Sequence, residues 1–139
     1  MKQTQQTITI ATKGQGLYEF TGEVKSFLRA SGMATGLVTI YCRHTSASLL
    51  IQENADPDVL GDLKEFFRRI IPEDSQWIVH RVEGPDDMPA HIKTALTHTS
   101  LAVPVIDGAL ALGTWQGLFL FEHRSRPHRR QVVLHASGE

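Results

Sequence analysis

Hydrophobic and polar positions along this chain change their repeat several times, and each change marks an element. Thr7 to Thr12 sets isoleucines between threonines, the period of two that suits a strand. Lys13-Gly14-Gln15-Gly16 reads as a turn, and Leu17 to Phe20 as a second short strand. From Gly22 to Ala30, Val24, Phe27 and Leu28 fall at helical spacing, with Gly32 as the stop signal. Gly36 to Cys42 is rich in β-branched and aromatic residues, and Ala47 to Gln52 continues the pattern. Both predict strands around the string His44-Thr45-Ser46-Ala47-Ser48.

The second half begins with a helix signal. Asp56 is a carboxylate N-cap and Pro57 suits the first helical position. Val59, Leu60, Leu63, Phe66, Phe67, Ile70 and Ile71 then form an apolar stripe that stops before Pro72, as a core-facing helix requires. Trp77 to Val79 reads as a short strand. Asp87 can cap a further helix that runs to about Thr97. Leu101 to Val105, Ala109 to Leu112, Gly113 to Phe121 and Gln131 to Ala136 read as strands, with Asp107-Gly108 as a hairpin turn. Ser125 to Arg130 is a basic connection. Strands mixed with segregated helices predict an α+β fold: one domain over residues 1–139, a largely antiparallel sheet or sandwich, and two or three helices.

Composition narrows the function. A chain of 139 residues can bury roughly 68–70% of its unfolded surface, so it needs neither disulfide nor metal to fold. The formal net charge of −1 argues against broad nucleic-acid binding, which relies on a basic surface. Cys42 is the single cysteine, so no intrachain disulfide forms, and a reducing compartment is allowed. The first residues lack the apolar region of a signal peptide, and no apolar run approaches the ~18–20 residues of a membrane span. These features predict a cytoplasmic protein that binds neither membrane nor nucleic acid.

Four strings concentrate chemistry beside core-like runs: His44 to Asp58, Glu83 to Lys93, Gly113 to Gly117 and Glu122 to Arg124. If Ile40 to Ser48 is extended, Cys42, His44, Ser46 and Ser48 share a face and resemble a site wall; the alternative is a solvent-facing polar side. Asn54 precedes a helix start, where backbone N–H groups favour anions, or else merely shapes the turn. Asp86 and Asp87 suit either the helix dipole or a divalent cation. Trp115 can stack on a heteroaromatic ring or pack in the core, with Gln116 beside it. Arg124, Arg126, Arg129 and Arg130 suit a phosphate or a solvated hairpin. His80, His98, His128 and His135 read as structural or exposed.

The same four strings, in this order, resemble the YjbQ family, over about Thr7 to Glu139. That family of uncharacterised proteins is also linked to a thiamine phosphate synthase activity. The resemblance implies a compact homotrimer and a small-molecule enzyme acting on a phosphorylated substrate. It singles out His44, His91 and Glu122 as catalytic candidates. It also singles out Ser46, Ser48, Asn54, Trp115, Gln116 and Arg124 as substrate contacts, and His44, His91 and His123 as ligands for a divalent metal, zinc or magnesium. The implied reaction joins hydroxymethylpyrimidine pyrophosphate to a thiazole phosphate and releases pyrophosphate. A metal-dependent hydrolase or lyase on another phosphorylated metabolite, and a non-catalytic ligand-binding homotrimer, are the alternatives.

Overall fold

The computed structural model describes residues 1–139. Strands β1 (Lys2–Thr12) and β2 (Gly16–Glu19) precede helix α1 (Thr21–Ser31). Strands β3 (Gly36–Cys42) and β4 (Ala47–Glu53) precede helices α2 (Pro57–Ile70) and α3 (Asp87–Leu96). Strands β5 (Ser100–Ile106), β6 (Ala109–Leu110), β7 (Gln116–Glu122) and β8 (His128–Gly138) complete the chain. They form two antiparallel sheets, one ordered β1-β8-β3-β5-β6 and the other β2-β7-β4. The α+β expectation therefore holds.

The core lies between the sheets. Period-two alternation along β8 sends Arg130, Val132, Leu134 and Ala136 inward. Val132, Leu134 and Ala136 meet Val38 and Ile40 of β3 and Val103 and Val105 of β5, with Ala47, Leu49, Leu118 and Leu120 from the smaller sheet opposite. Helix α1 closes one end with Val24, Phe27 and Leu28. It stops where Gly32 turns left-handed, at φ 67°, and donates its N–H to the Arg29 carbonyl. Asp107 (φ 49°) and Gly108 (φ 78°) make the tight hairpin turn their sequence predicts.

Several boundaries differ from expectation. The chain is not extended through Ile40–Ser48: between Cys42 and Ala47 it leaves the larger sheet and enters the smaller one. Cys42 consequently packs in the core, 1% exposed, although it still borders the cleft that His44 lines. Trp77 to Val79 forms no strand, and the return of the hairpin ends at Leu110. Trp115 lies outside β7 and is 62% exposed, so it does not pack in the core. The basic connection is shorter than predicted, because β8 begins at His128 and takes Arg130 inward.

Helix α2 starts as predicted, with the Asp56 carboxylate accepting from the Asp58 N–H at 2.9 Å and Pro57 next. Its stripe, however, is not core: no residue of this helix is fully buried, and Phe66 is 53% exposed. The helix lies against the outer face of the small sheet, where Phe67 meets Phe121 edge-on at a centroid distance of 5.4 Å.

Candidate functional site

The first turns of α3 build a compact polar cluster. Asp87 and His91 stand four residues apart, hence on one helix face. The preceding loop returns His80 to that face. His80 Nε2 lies 2.7 Å, and His91 Nε2 3.1 Å, from the same Asp87 oxygen, Oδ2. The three ligand atoms fall within 4.8 Å of one another, with Asp87 buried and the histidines partly open. The other Asp87 oxygen takes the Arg124 guanidinium at 2.8 Å. Burial alone would raise the Asp87 pKa; the His80 hydrogen bond and the charges of Arg124 and His91 outweigh it and hold the carboxyl below its ordinary range.

Proton accounting decides what His91 offers. Its Nδ1 lies 2.8 Å from the Thr45 carbonyl oxygen, which only accepts, so Nδ1 carries a proton. In neutral imidazole, Nε2 is then a bare lone pair facing a carboxylate oxygen. Two lone pairs at that distance need a shared positive charge, either a proton on His91 or a cation. A histidine pinned by an Nδ1–H to a backbone carbonyl, with Nε2 free, is the arrangement in which protein histidines bind metals. Two imidazoles and one carboxylate fit a zinc-like ion; magnesium prefers oxygen ligands.

Behind this cluster the remaining candidates hold the scaffold. Arg124 donates Nε to Asp86 Oδ2 at 2.9 Å and Nη2 to the Glu83 carbonyl at 3.0 Å. With its Asp87 contact, it clamps the start of α3 to the end of β7 and keeps no free edge for a phosphate. Glu122 is fully buried and accepts from Thr12 Oγ1 (2.7 Å), Arg130 Nε (2.8 Å) and Nη2, and the N–H groups of His123 and Arg124. Desolvation pushes its pKa up, but Arg130 and Thr12 pull it down further, leaving an anion whose lone pairs are occupied. Arg130, expected in a solvated cluster, is its buried partner and also reaches the carbonyl and hydroxyl of Ser46.

The other two proposed metal ligands lie elsewhere in this arrangement. His44 Nε2 accepts the Gln131 N–H at 2.7 Å, and its Nδ1 faces Arg130 at 3.5 Å. Burial, then the Arg130 charge, lowers its pKa and keeps it neutral. His123 is 1% exposed, with Nε2 2.8 Å from Ser48 Oγ and Nδ1 unpartnered. Burial holds its pKa down to about 3, with nearby Lys93 and Arg130 adding to the effect. Neither joins the three-residue cluster; His80, read from sequence as structural or exposed, does. The available signal was Asp87-x3-His91 at helical spacing, with His80 only seven residues before the acid.

His44 and His91 nevertheless line one open cleft of about 600 Å³, with Arg43 and the threonines 45, 94, 97 and 99 around them. Asn54 and Gln116 border a different cavity, near Glu19 and Lys25, at the other end of β7. A seven-residue strand separates the two ends by roughly 20 Å. Asn54 Nδ2 donates to Glu19 at 3.2 Å, and Gln116 Oε1 accepts from the Gly113 N–H at 2.8 Å. Gly117 permits that corner: a Cβ there would sit 2.7 Å from a Glu19 oxygen and 3.0 Å from Asn54 Cβ.

A family model described as UPF0047 protein YjbQ-like matches residues 6–139. The UPF0047 protein sll1880 of Synechocystis is 55% identical over 138 residues, 99% of this chain and 94% of that protein. The UPF0047 protein YjbQ of Escherichia coli O157:H7 is 40% identical over 136 residues, 97% and 98% of the two chains. Among solved structures, the conserved hypothetical protein TT1486 from Thermus thermophilus gives a TM-score of 0.81 at 34% identity, over 91% of this chain and 96% of that one. SSO2532 from Sulfolobus solfataricus P2, a YbjQ-like protein of unknown function, gives 0.86 at 20% identity over 99% and 100%, a likeness of fold. Agreement this even along the whole chain means that the protein belongs to the YjbQ-like UPF0047 family.

Proposed function

We propose that His80, Asp87 and His91 hold a zinc-like divalent cation that serves chemistry on a phosphorylated small molecule in the adjoining cleft. The observation that carries this reading is the His91 ring, whose Nδ1–H is held by the Thr45 carbonyl at 2.8 Å while its Nε2 faces Asp87 Oδ2 at 3.1 Å, beside the His80 Nε2. Such an ion supplies Lewis-acid stabilisation of phosphate oxygens or of an ionised water. The protein's own groups do the rest. Arg124 and Thr45 fix the orientation of Asp87 and His91, and Arg43 with the hydroxyls of Thr45 and Thr99 offers donors for phosphate oxygens along the cleft.

Within that class, the family resemblance favours the thiamine phosphate synthase reaction, in which the ring nitrogen of a thiazole phosphate bonds to the methylene carbon of hydroxymethylpyrimidine pyrophosphate and pyrophosphate leaves. Incubating the protein with both substrates, with zinc or magnesium, and separating products by chromatography tests it. Thiamine phosphate and pyrophosphate should appear in equal amounts and vanish in Asp87→Asn. Pyrophosphate or phosphate release without coupling would move the assignment to a hydrolase or lyase. Tight substrate binding without turnover would make the protein a binding module. The homotrimer belongs to the same proposal, and the exposed apolar residues Phe66, Ile70, Trp77 and Val82 support it. Sedimentation equilibrium decides the assembly.

A further inference from the structure

Lys93 is the most enclosed of the chain's lysines. It is 5% exposed, whereas Lys2, Lys13, Lys25 and Lys64 lie at the surface. Its ammonium makes no hydrogen bond and no ion pair; only its backbone carbonyl is engaged, by Thr97 Oγ1 at 2.8 Å. Glu73 and Asp86 are the opposite charges that act on it, but neither reaches ion-pair distance, so the ammonium has no direct counter-ion. The head group borders a cavity of about 390 Å³ that shares no lining residue with the His44–His91 cleft. Arg68 lines the same cavity. Its Nε and Nη2 bind Glu65, leaving Nη1 uncommitted. Glu73 and Asp74, both exposed, bring two carboxylates to the same wall.

We infer that this cavity is a second ligand site, separate from the α3 cluster, for a small zwitterion of the α-amino-acid class. Lys93 and Arg68 take the carboxylate at the enclosed end, and Glu73 and Asp74 take the ammonium nearer solvent. The charge pattern selects that class. A simple anion suits Lys93 and Arg68 but meets two carboxylates, and a simple amine suits the carboxylates but meets two cations. The volume suits a molecule of amino-acid size. The Gln15 amide, which donates to the His123 carbonyl at 3.2 Å, borders the cavity and joins it to β7.

Isothermal calorimetry on the full chain, with the free amino acids one at a time against acetate and methylamine, tests the inference. At least one amino acid should bind roughly tenfold tighter than either single-charge control, the equivalent of about 1.4 kcal/mol. Lys93→Met should abolish that binding, and Arg68→Ala should weaken it. Arg68 is exposed, so Arg68→Ala is read even where Lys93→Met fails to fold. Glu73→Gln combined with Asp74→Asn should erase the preference over acetate. Absence of binding by every amino acid, equal binding of acetate, or wild-type affinity in the folded Lys93 or Arg68 variant would overturn the assignment.

Discussion

Asp87 concentrates the chemistry of the site in one carboxylate: one oxygen faces two imidazoles and the other an arginine. If a zinc-like ion sits there, Asp87→Asn and His91→Ala should each weaken zinc affinity at least tenfold, and Arg124→Lys should do so through the orientation of Asp87. His44→Ala should leave zinc affinity unchanged, because its Nε2 already serves the Gln131 N–H. Competition with a chromogenic chelator measures all four. Metal removal should leave the fold intact, since the core forms without it.

Glu122 and His123 are neighbours with opposite surroundings. Glu122 is an anion held by Arg130 on the core side of β7, and His123 a neutral ring buried on the other side. Arg130→Met should cost about 3–5 kcal/mol in urea unfolding, because it leaves Glu122 charged and unpaired. For His123, the unfolded ring titrates near 6.5 and the folded one near 3. Between those values only the unfolded chain gains the proton, so stability falls as pH drops through that window. The slope is about 1.4 kcal/mol per pH unit for a single group, and the loss is absent above about pH 6.5. The depressed Glu122 carboxyl adds a further loss only below its ordinary 4.5. His123→Gln should therefore flatten the decline between about pH 6.5 and 4.5 in denaturant titrations.

At the scale of elements, amphipathicity predicted the helix of Pro57–Ile70 correctly and its burial incorrectly. A 3.6-residue stripe reports a face that avoids water, not what covers it. Here Phe67 packs on Phe121 while Phe66 and Ile70 stay exposed. Leu49→Ala, in the fully buried core, should cost about 2–5 kcal/mol, and half-buried Leu63→Ala clearly less when both are unfolded at low protein concentration. If the outer face of α2 is an assembly surface, the Leu63 penalty should grow with protein concentration, as mass action requires. Melting temperatures across a hundredfold dilution separate the two cases.

For the whole molecule, the strands, α1, the start of α2 and the hairpin at Asp107-Gly108 were legible because each rests on local physics: side-chain period, a capping carboxylate, and glycines that tolerate positive φ. The string Glu83 to Lys93 holds Asp87 and His91 of the polar cluster, while His80 lies outside all four strings. Which residues meet was a different matter. The switch between sheets at Arg43–Ser46 splits a stretch that looks continuous, burying Cys42 in the core. Packing of the paired strands β1 and β8 against the far end of β7 brings Thr12 and Arg130 to Glu122, from 110 and 8 residues away along the chain. The loop before α3 swings His80 onto Asp87, and no period in the sequence announces a loop's return. Local periodicity determined the elements because it depends on neighbours a few residues apart. Tertiary packing decided the arrival of His80 at Asp87 and the buried Glu122–Arg130 pair, because these depend on which groups the fold brings within about 3 Å.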